Sequence, residues 1–354
     1  MKKVGIILIN YKEYANKYLR ACRDSLRIQT YTDFKVYIVD NASSEQSLSY
    51  LRDLYSEAIV LPREDGNYCA ANNLGMREAI KDGCDYLVAA NMDTEFEADW
   101  LKELVVALDN DASVGIAQSL IMLYPKNEEE KTNPRVNTTG NLIHFLFFGF
   151  TNNYNLKKSE LILKSEYPEI DYASGCSFII RREIFQEIGG YNDDYYMYHD
   201  DLDISLKTRL AGYKIVLAPK SIMWHKYEFE RSVRMLYYME RNRVISFFSF
   251  YPVYILILLS PFLLFMNIGM LFFSIINGWF TTKMKVTAYF FKPSAWRLIM
   301  KNRKEYHRLA KQSFKNIASS FVGKIEFQEI NNPILEHLVN PVFNLYWKLI
   351  KKII

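Results

Sequence analysis

"VGIILINYKEYANKYLRACRDSLRIQTYTDFKVYIVDNAS", residues 4–43, decides the fold. Two short apolar runs, VGIILI (4–9) and FKVYIVD (34–40), flank an amphipathic stretch over 13–28. Continuous β-branched runs joined by helices indicate a parallel sheet covered on both faces, since a half-exposed strand would alternate apolar with polar instead. The pattern continues through AIVLP (58–62), YLVAAN (86–91) and VGIAQS (114–119), with a further amphipathic stretch at 97–109. In such α/β sheets ligands bind beyond the carboxyl ends of the strands. The residues standing there are Asn10-Tyr11, Asp40-Asn41 and Asn91-Met92-Asp93. The opening MKKVGIILIN reads as this buried first strand, because its apolar run is too short for a secretory signal and no small-residue cleavage site follows.

Charge is divided unevenly over the 354 residues. Residues 1–230 carry 26 Lys/Arg and 35 Asp/Glu; residues 231–354 carry 18 and 5. The basic half also holds the most apolar stretch of the chain. That pairing points to anionic membrane lipids as a partner and away from nucleic acid. Four scattered cysteines (Cys22, Cys69, Cys84, Cys176) have neither CxxC nor zinc spacing and read as free thiols of a reducing compartment.

Beyond residue 120 the strand–helix rhythm stops. A polar loop (PKNEEEKTNPRVNTTGN) leads into LIHFLFFGF, readable as a core or edge strand or as a flap facing a greasy partner. Residues 244–282 contain no charge. As one helix they would run about 58 Å, against a hydrocarbon core of about 30 Å. Arg231, Arg234, Arg241 and Arg243 precede the stretch, and Lys283, Lys285, Lys292 and Arg297 follow. Cations on both sides put both ends in the cytoplasm. A hairpin turning near Asn267-Ile268-Gly269, or re-entrant helices broken at Pro261, meets that condition; a buried helix pair or oligomer interface is the alternative. Residues 283–354 then read as basic amphipathic helices lying on the membrane surface. The boundaries are thus 1–243 for the α/β domain (1–120 and 121–243 as its halves), 244–282 for the apolar hairpin and 283–354 for the interfacial helices.

Several residues carry candidate chemistry. Asp40 can accept hydrogen bonds from a base or ribose, or simply form a turn. Asp93, past a strand end, suits Mg²⁺ or Mn²⁺, which bind through one or two carboxylates plus substrate phosphates. In YMYHDDLDISLKTRLAGY (196–213) three acids fall in four positions at a helix start. One is accounted for by the helix dipole, about 0.3–1 kcal/mol, with Asp200 as cap. Asp203 is placed to bind back to the cap or to hold a basic group, and Asp201 to face the sheet's carboxyl edge. His225, in MWH, is a second metal-ligand candidate.

Strand-NY, strand-VDNAS, the NNLG helix, NMD, then ASGCSFIIRREIFQEIGGYNDDYYMYHDDLDISLKTRLAGYKI, MWH and YYMERNRV appear in that order. Together they resemble inverting family 2 glycosyltransferases of the GT-A fold, in particular the rhamnosyltransferase-like branch of bacterial surface polysaccharide synthesis. The resemblance covers roughly 3–245 and implies a Rossmann-like, mostly parallel sheet with helices on both faces, followed by a C-terminal helical membrane-associating region. It implies Asp201 as general base. Asn10, Tyr11, Asp40, Asn41, Asn73, Asn91, Asp93, Ser174 and Gly175 would bind the nucleotide-sugar, with Mg²⁺ or Mn²⁺ on Asp93 and His225. Asp200, Asp203 and Arg241 would serve the acceptor side. The donor would be a dTDP- or UDP-sugar and the acceptor a polyprenyl-diphosphate-linked glycan, at the cytoplasmic face of the bacterial membrane; a second copy of the chain is an open partner. Asn91 departs from the pattern by replacing the first acid of the DxD motif. Asp65 and Asn67 also depart, the latter where left-handed backbone is expected, and Asp200 replaces the usual Glu. A non-catalytic scaffold is the competing reading. A nucleotidyltransferase would need a glycine- and arginine-rich loop that INYKEYANKY lacks.

Overall fold

A computed structural model describes residues 1–227, 235–326 and 332–354, so Arg231 and Arg234 lie outside the described residues. The chain forms two compact units: Met1–Asn141 with Thr151–Tyr227, and Leu142–Phe150 with the chain after Tyr227.

The first unit opens as β1 (Val4–Asn10), α1 (Tyr14–Arg27), β2 (Phe34–Asp40), α2 (Glu45–Leu54), β3 (Ile59–Pro62), α3 (Tyr68–Lys81) and β4 (Tyr86–Ala90). It continues with β5 (Thr94–Phe96), α4 (Trp100–Asp109), β6 (Val114–Leu123), α5 (Glu128–Thr132) and β7 (Val136–Thr138). After a small hairpin that belongs almost wholly to the second unit, β8 (Asn141–Ile143) and β9 (Gly149–Thr151), the first unit resumes with β10 (Ser177–Arg181), α6 (Arg182–Glu187), α7 (Asp200–Leu210) and β11 (Lys214–His225). The main sheet runs β3-β2-β1-β4-β10-β6-β11-β5, with β7 paired to β6. From β3 to β4 all pairs are parallel, as the apolar runs require. β10 then inserts antiparallel between β4 and β6, and β5 pairs antiparallel with the end of β11. β1, β4 and the apolar body of β2 are buried. Gly75 lets α3 close on the sheet: a Cβ there would stand 2.7 Å from Ile7 Cγ2.

The second unit contains α8 (Leu236–Phe250), α9 (Val253–Ile276), α10 (Phe280–Tyr289), α11 (Pro293–Leu309), α12 (Phe314–Ala318) and α13 (Asn340–Ile350). Two expectations change here. The block at 240–243 does not close the α/β domain, because Glu240, Arg241, Asn242 and Arg243 are interior residues of the second unit. LIHFLFFGF is core and not a flap: its ends belong to the strands β8 and β9, outside the main sheet, and its middle is buried. Phe145 and Phe147 are fully buried, Phe145 stacked on Trp347 and Phe147 packed edge-on against Phe247, Tyr251 and Phe321.

The chain does not turn at Asn267–Gly269 or break at Pro261; α9 runs unbroken from Val253 to Ile276. Proline removes the hydrogen bond to the carbonyl four residues back, here Ile257. Ser260 Oγ donates to that carbonyl instead, at 2.8 Å. The reversal falls after the helix, at Asn277-Gly278, where Gly278 takes a φ of +76°. Among the described residues α9 is the one helix long and apolar enough to cross a membrane.

Candidate active site

Asn10, Asp40 and Asp93 stand where strands of the first unit end. At the end of β1, Asn10 Oδ1 accepts from Ala15 N (2.9 Å) and Nδ2 donates to Asp40 Oδ1 (2.8 Å). Asp40 Oδ2 accepts from Ser47 Oγ, which belongs to the capping box of α2. Asp40 is fully buried. It therefore fastens β1, β2 and α2 to one another, with one protein bond on each of its two oxygens. The neighbouring Asn41 is different: its Oδ1 is buried and lacks a hydrogen-bond partner. An orphaned acceptor costs about 1–3 kcal/mol, so its presence at a strand's carboxyl end marks a place for a ligand's donor.

Tyr11, 45% exposed, offers an aromatic face beside Gly66. A Cβ on Gly66 would lie 2.7 Å from Tyr196 Oη and 3.2 Å from Tyr11 Cε2. The left-handed backbone expected at Asn67 belongs to Gly66 (φ +71°); Asn67 is extended and caps α3 through Ala70 N. Asn73 is not a ligand-facing residue. Its amide bonds Tyr191 O, Tyr191 N and Asp193 Oδ1, and it is almost wholly buried.

Asp93 follows β4 and is 4% exposed. Pairing of β5 with β11 sets His225 opposite Thr94, across 131 residues of sequence, and leaves His225 Nε2 3.6 Å from Asp93 Oδ1. That separation is too long for a hydrogen bond. An octahedral cation with ligands about 2.1 Å away has a ligand–ligand edge of about 3.0 Å, so the two atoms stand a few tenths of an ångström wider than that edge and would draw together on one ion. Asn137 Oδ1 lies 3.3 Å from His225 Nδ1, which orients the ring. Among the described residues no cluster of three or more His, Cys, Asp or Glu side chains forms a metal cage. Two protein ligands and otherwise substrate phosphate and water is the Mg²⁺ or Mn²⁺ pattern, so the pair fits such a cation. Asn91 does not complete it, for its Oδ1 accepts from Tyr68 Oη (3.1 Å).

The acids of α7 separate by environment. Asp203, 1% exposed, pairs with Lys207 (3.1 Å), and Lys207 also donates to Gly190 O. It anchors the loop before the helix and does not serve an acceptor. Asp200 is 5% exposed, and Asp201 is the most accessible of the three. Asp201 Oδ2 accepts from Gly175 N (3.2 Å) and Oδ1 from Leu202 N (2.8 Å). Burial raises both carboxyls above their ordinary range, Asp200 further because the Asp201 charge adds to it. The two carboxyls therefore titrate as one coupled pair raised by burial, with the more buried Asp200 the less favourable place for the charge.

Residues 174–176 join the two centres. Ser174 N donates to the buried Gln118 Oε1 (2.7 Å), Gly175 N reaches Asp201, and Cys176 O accepts from Asn91 N (3.1 Å). The Cys176 thiol, raised to about 12 chiefly by burial, feels the charges of both Asp93 and Asp201. Arg241 belongs to the second unit, where its guanidinium sits over the rings of Tyr237, Tyr238 and Tyr289.

Sequence reasoning missed the loop that delivers Asp201. Tyr196, Tyr198 and His199 all have positive φ (69°, 63° and 58°), which is rare for such side chains. Tyr196 (ψ −58°), with Met197 N bonded to Tyr195 O at 2.8 Å, makes a strained γ-turn. Such geometry gathers at functional sites. No local signal announces it; the loop is held from outside, by Asn67 Nδ2 on Asp193 O and Cys69 N on Tyr196 O. Asn137 was also missed, although its burial beside His225 follows from the β7–β6–β11 pairing.

An open α/β sheet of parallel strands with β10 inserted antiparallel is the arrangement of the GT-A fold. The structure of GalNAc-T7 with UDP, GalNAc and Mn²⁺ superposes with a TM-score of 0.56 at 17% identity, over 72% of this chain and 49% of that one. The family model for glycosyl transferase family 2 matches residues 5–189, more than half of the chain, and the chain belongs to that family. It is 29% identical over 229 residues to the uncharacterized protein y4gI of Sinorhizobium fredii, covering 62% of this chain and 24% of that protein. It is 26% identical over 233 residues to the O-antigen biosynthesis protein RfbC of Myxococcus xanthus, covering 63% and 17%. A shorter match, 31% over 68 residues (19% and 22%), is to the N-acetylglucosaminyl-diphospho-decaprenol L-rhamnosyltransferase of Mycobacterium tuberculosis. The chain spans about a quarter or less of the length of these relatives.

Proposed function

We propose that the chain is an inverting glycosyltransferase of bacterial cell-surface polysaccharide synthesis, capsule included. It moves a sugar from a dTDP- or UDP-linked donor to a glycan on a polyprenyl diphosphate. One observation carries the reading: Gly175 and Cys176 bind the Asp201 carboxylate on one side and Asn91, two residues before Asp93, on the other. A base and a cation-binding carboxylate are thereby held at one sheet edge.

In the transfer the acceptor hydroxyl attacks the anomeric carbon from the face opposite the diphosphate. Its proton passes to Asp201 as the new C–O bond forms and the bond to the diphosphate oxygen breaks. Asp93 and His225 would hold a Mg²⁺ or Mn²⁺ ion, which would neutralise charge on the departing diphosphate. Tyr11 offers a stacking face for the base, and Asn41 Oδ1 awaits a donor from the nucleotide. Rhamnose as the sugar and a polyprenyl diphosphate as the anchor draw support from the mycobacterial relative's name, and the O-antigen relative supports the polymer class. The apolar α9 and the basic residues around it support a place at the cytoplasmic face of the membrane.

The test is transfer from radiolabelled dTDP-rhamnose, and from UDP-sugars in parallel, to a polyprenyl-diphosphate-linked N-acetylglucosamine. Metal-dependent labelling of the lipid that is lost in Asp201→Asn supports the proposal. The scaffold reading draws on the missing first acid of the DxD motif, where Asn91 is committed to Tyr68. It predicts no labelling by wild type with any donor.

A further inference from the structure

The second unit exposes two apolar stripes on adjoining helices. Along α9, Ile257, Leu264, Ile268, Phe272 and Ile275 are 47–66% exposed. Their spacing keeps them on one side of a helix of 3.6 residues per turn. On α13, Val342, Leu345 and Leu349 are 50–63% exposed, while Phe343, Trp347 and Ile350 on the opposite side are buried. The two helices touch directly: Phe262 stacks on Tyr346 with ring centroids 3.8 Å apart, and Tyr346 Oη donates to Leu258 O at 2.6 Å. Scattered exposed apolar residues are ordinary, but contiguous rows on neighbouring helices are not.

The opposite side of α9 is covered by protein along nearly its whole length, with Ile255, Leu259, Met266 and Ser274 buried. From 255 to 274 is about 29 Å of axis, the full thickness of a hydrocarbon core. Part of that cover is aromatic, with Phe145 and Phe343 against Phe262, and part is charged. Lys283 of α10 donates to Asn267 Oδ1 (3.0 Å), inside α9, and to Glu240 Oε1 of α8 (2.8 Å), which also holds Arg243 (2.7 Å). Arg303 of α11 bonds Phe248 O and Tyr251 O, just before α9 begins. The elements before and after α9 are therefore clamped together beside it. α11 also exposes Arg297, Lys301, Lys304 and Arg308. A crossing helix would carry this charged packing into hydrocarbon, where ionised groups are costly.

We propose that α9 and α13 form a two-helix raft that lies flat in one leaflet of an anionic membrane and does not cross it. Charge complementarity selects this occupant over a second copy of the chain. Lys348 and Lys352 are exposed and, at 100° per residue, fall along one margin of the α13 stripe, where they meet headgroup phosphates. The order apolar face, basic margin, charged interior is that of an interfacial helix. The raft rests on the membrane association proposed above and adds its geometry. It would hold the unit at the headgroup level, where a diphosphate on a lipid anchor is found.

The test uses the full chain with single nitroxide labels on Ile257→Cys, Leu264→Cys, Phe272→Cys and Leu345→Cys. The native cysteines are buried and stay unlabelled. Collision of each label with oxygen and with a water-soluble nickel complex is read in vesicles of phosphatidylglycerol and phosphatidylcholine. The raft predicts equal, shallow depth at all four sites, although Ile257 and Phe272 lie about 23 Å apart along α9. A profile deepest at Leu264 and wet at both ends, on a protein that floats with the vesicles, overturns the raft and leaves membrane association standing. Failure to bind vesicles at all overturns both. Lys348→Glu with Lys352→Glu should weaken binding to the anionic vesicles about fivefold per lysine and leave binding to pure phosphatidylcholine unchanged. Equal loss on both vesicle types would contradict the basic margin.

Discussion

The two units invert the usual arrangement in opposite ways. The first buries carboxylates and amides at a sheet edge: Asp93, Asp200, Asn41 and Asn137 are all interior. The second keeps its charges inside as closed pairs and turns large apolar side chains outward, as Glu240 with Arg243 and Lys283 contrasts with Leu264 and Phe272. Burial of polar groups costs free energy unless every group is paired. Among the described residues of the second unit no buried side-chain nitrogen or oxygen lacks a partner, and the triad is architecture. In the first unit the pairing is incomplete: Asn41 Oδ1 and Asn137 Nδ2 lack partners, and two neighbouring carboxyls share a raised affinity for protons. Incomplete pairing is what a site awaiting a ligand looks like.

The largest effect that sharpens this comparison belongs to Asp201. Asp201→Asn should lower kcat about 10²- to 10⁴-fold, measured by initial rates of sugar transfer. The fold should not suffer. Because burial raises the folded-state pKa of Asp200 and Asp201, their stabilising contribution is complete below the ordinary carboxylate range and is lost as pH rises through the raised values. Wild-type Tm should therefore fall from about pH 5 to about pH 8, and less steeply in Asp201→Asn. The acid limb of kcat/KM should stand above the ordinary carboxylate value of about 4 and follow the same group. A limb at that ordinary value would remove Asp201 as the base.

Glu240→Gln should act on stability instead. It leaves Arg243 and Lys283 as buried cations and should cost about 3–5 kcal/mol in denaturant unfolding of the second unit. Burial alone would raise the Glu240 pKa, but the two cations more than offset it and hold it at about 2. That stabilisation persists to low pH and is lost only as pH falls toward this value. A loss below about 1 kcal/mol would mean the triad is exposed to water.

A smaller effect is expected behind the metal pair. Asn137→Ala removes the group that orients His225 and should weaken Mn²⁺ binding about 10- to 100-fold, read by titration calorimetry, with little change in Tm. An unchanged affinity would mean that His225 is not a ligand.

Much of the first unit was legible in sequence because its strands are buried on both faces and so read as unbroken apolar runs. β1, β2, β4 and the helices over 14–27 and 100–109 fall where the pattern put them. β10 was not legible, because nothing in SFIIR says whether it runs parallel or antiparallel. Asp40 could be seen at a strand end, but not that Asn10 and Ser47 would occupy it. The backbone at Tyr196–His199 was invisible because tertiary contacts impose it against local preference. In the second unit Pro261 and Gly269 suggested breaks, yet Ser260 repairs the first and the helix carries the second. The buried ion triad, which decides how α8, α9 and α10 pack, joins residues 43 positions apart.

The central claim is that the first unit binds a nucleotide diphosphate through a cation on Asp93 and His225. Calorimetric titration of UDP and of dTDP into the purified chain, with and without Mn²⁺, tests it most directly, with Asp93→Ala as the companion. Binding by wild type that requires Mn²⁺ and vanishes in Asp93→Ala is the predicted result. Nucleotide binding of equal strength without the metal, or in Asp93→Ala, would contradict it.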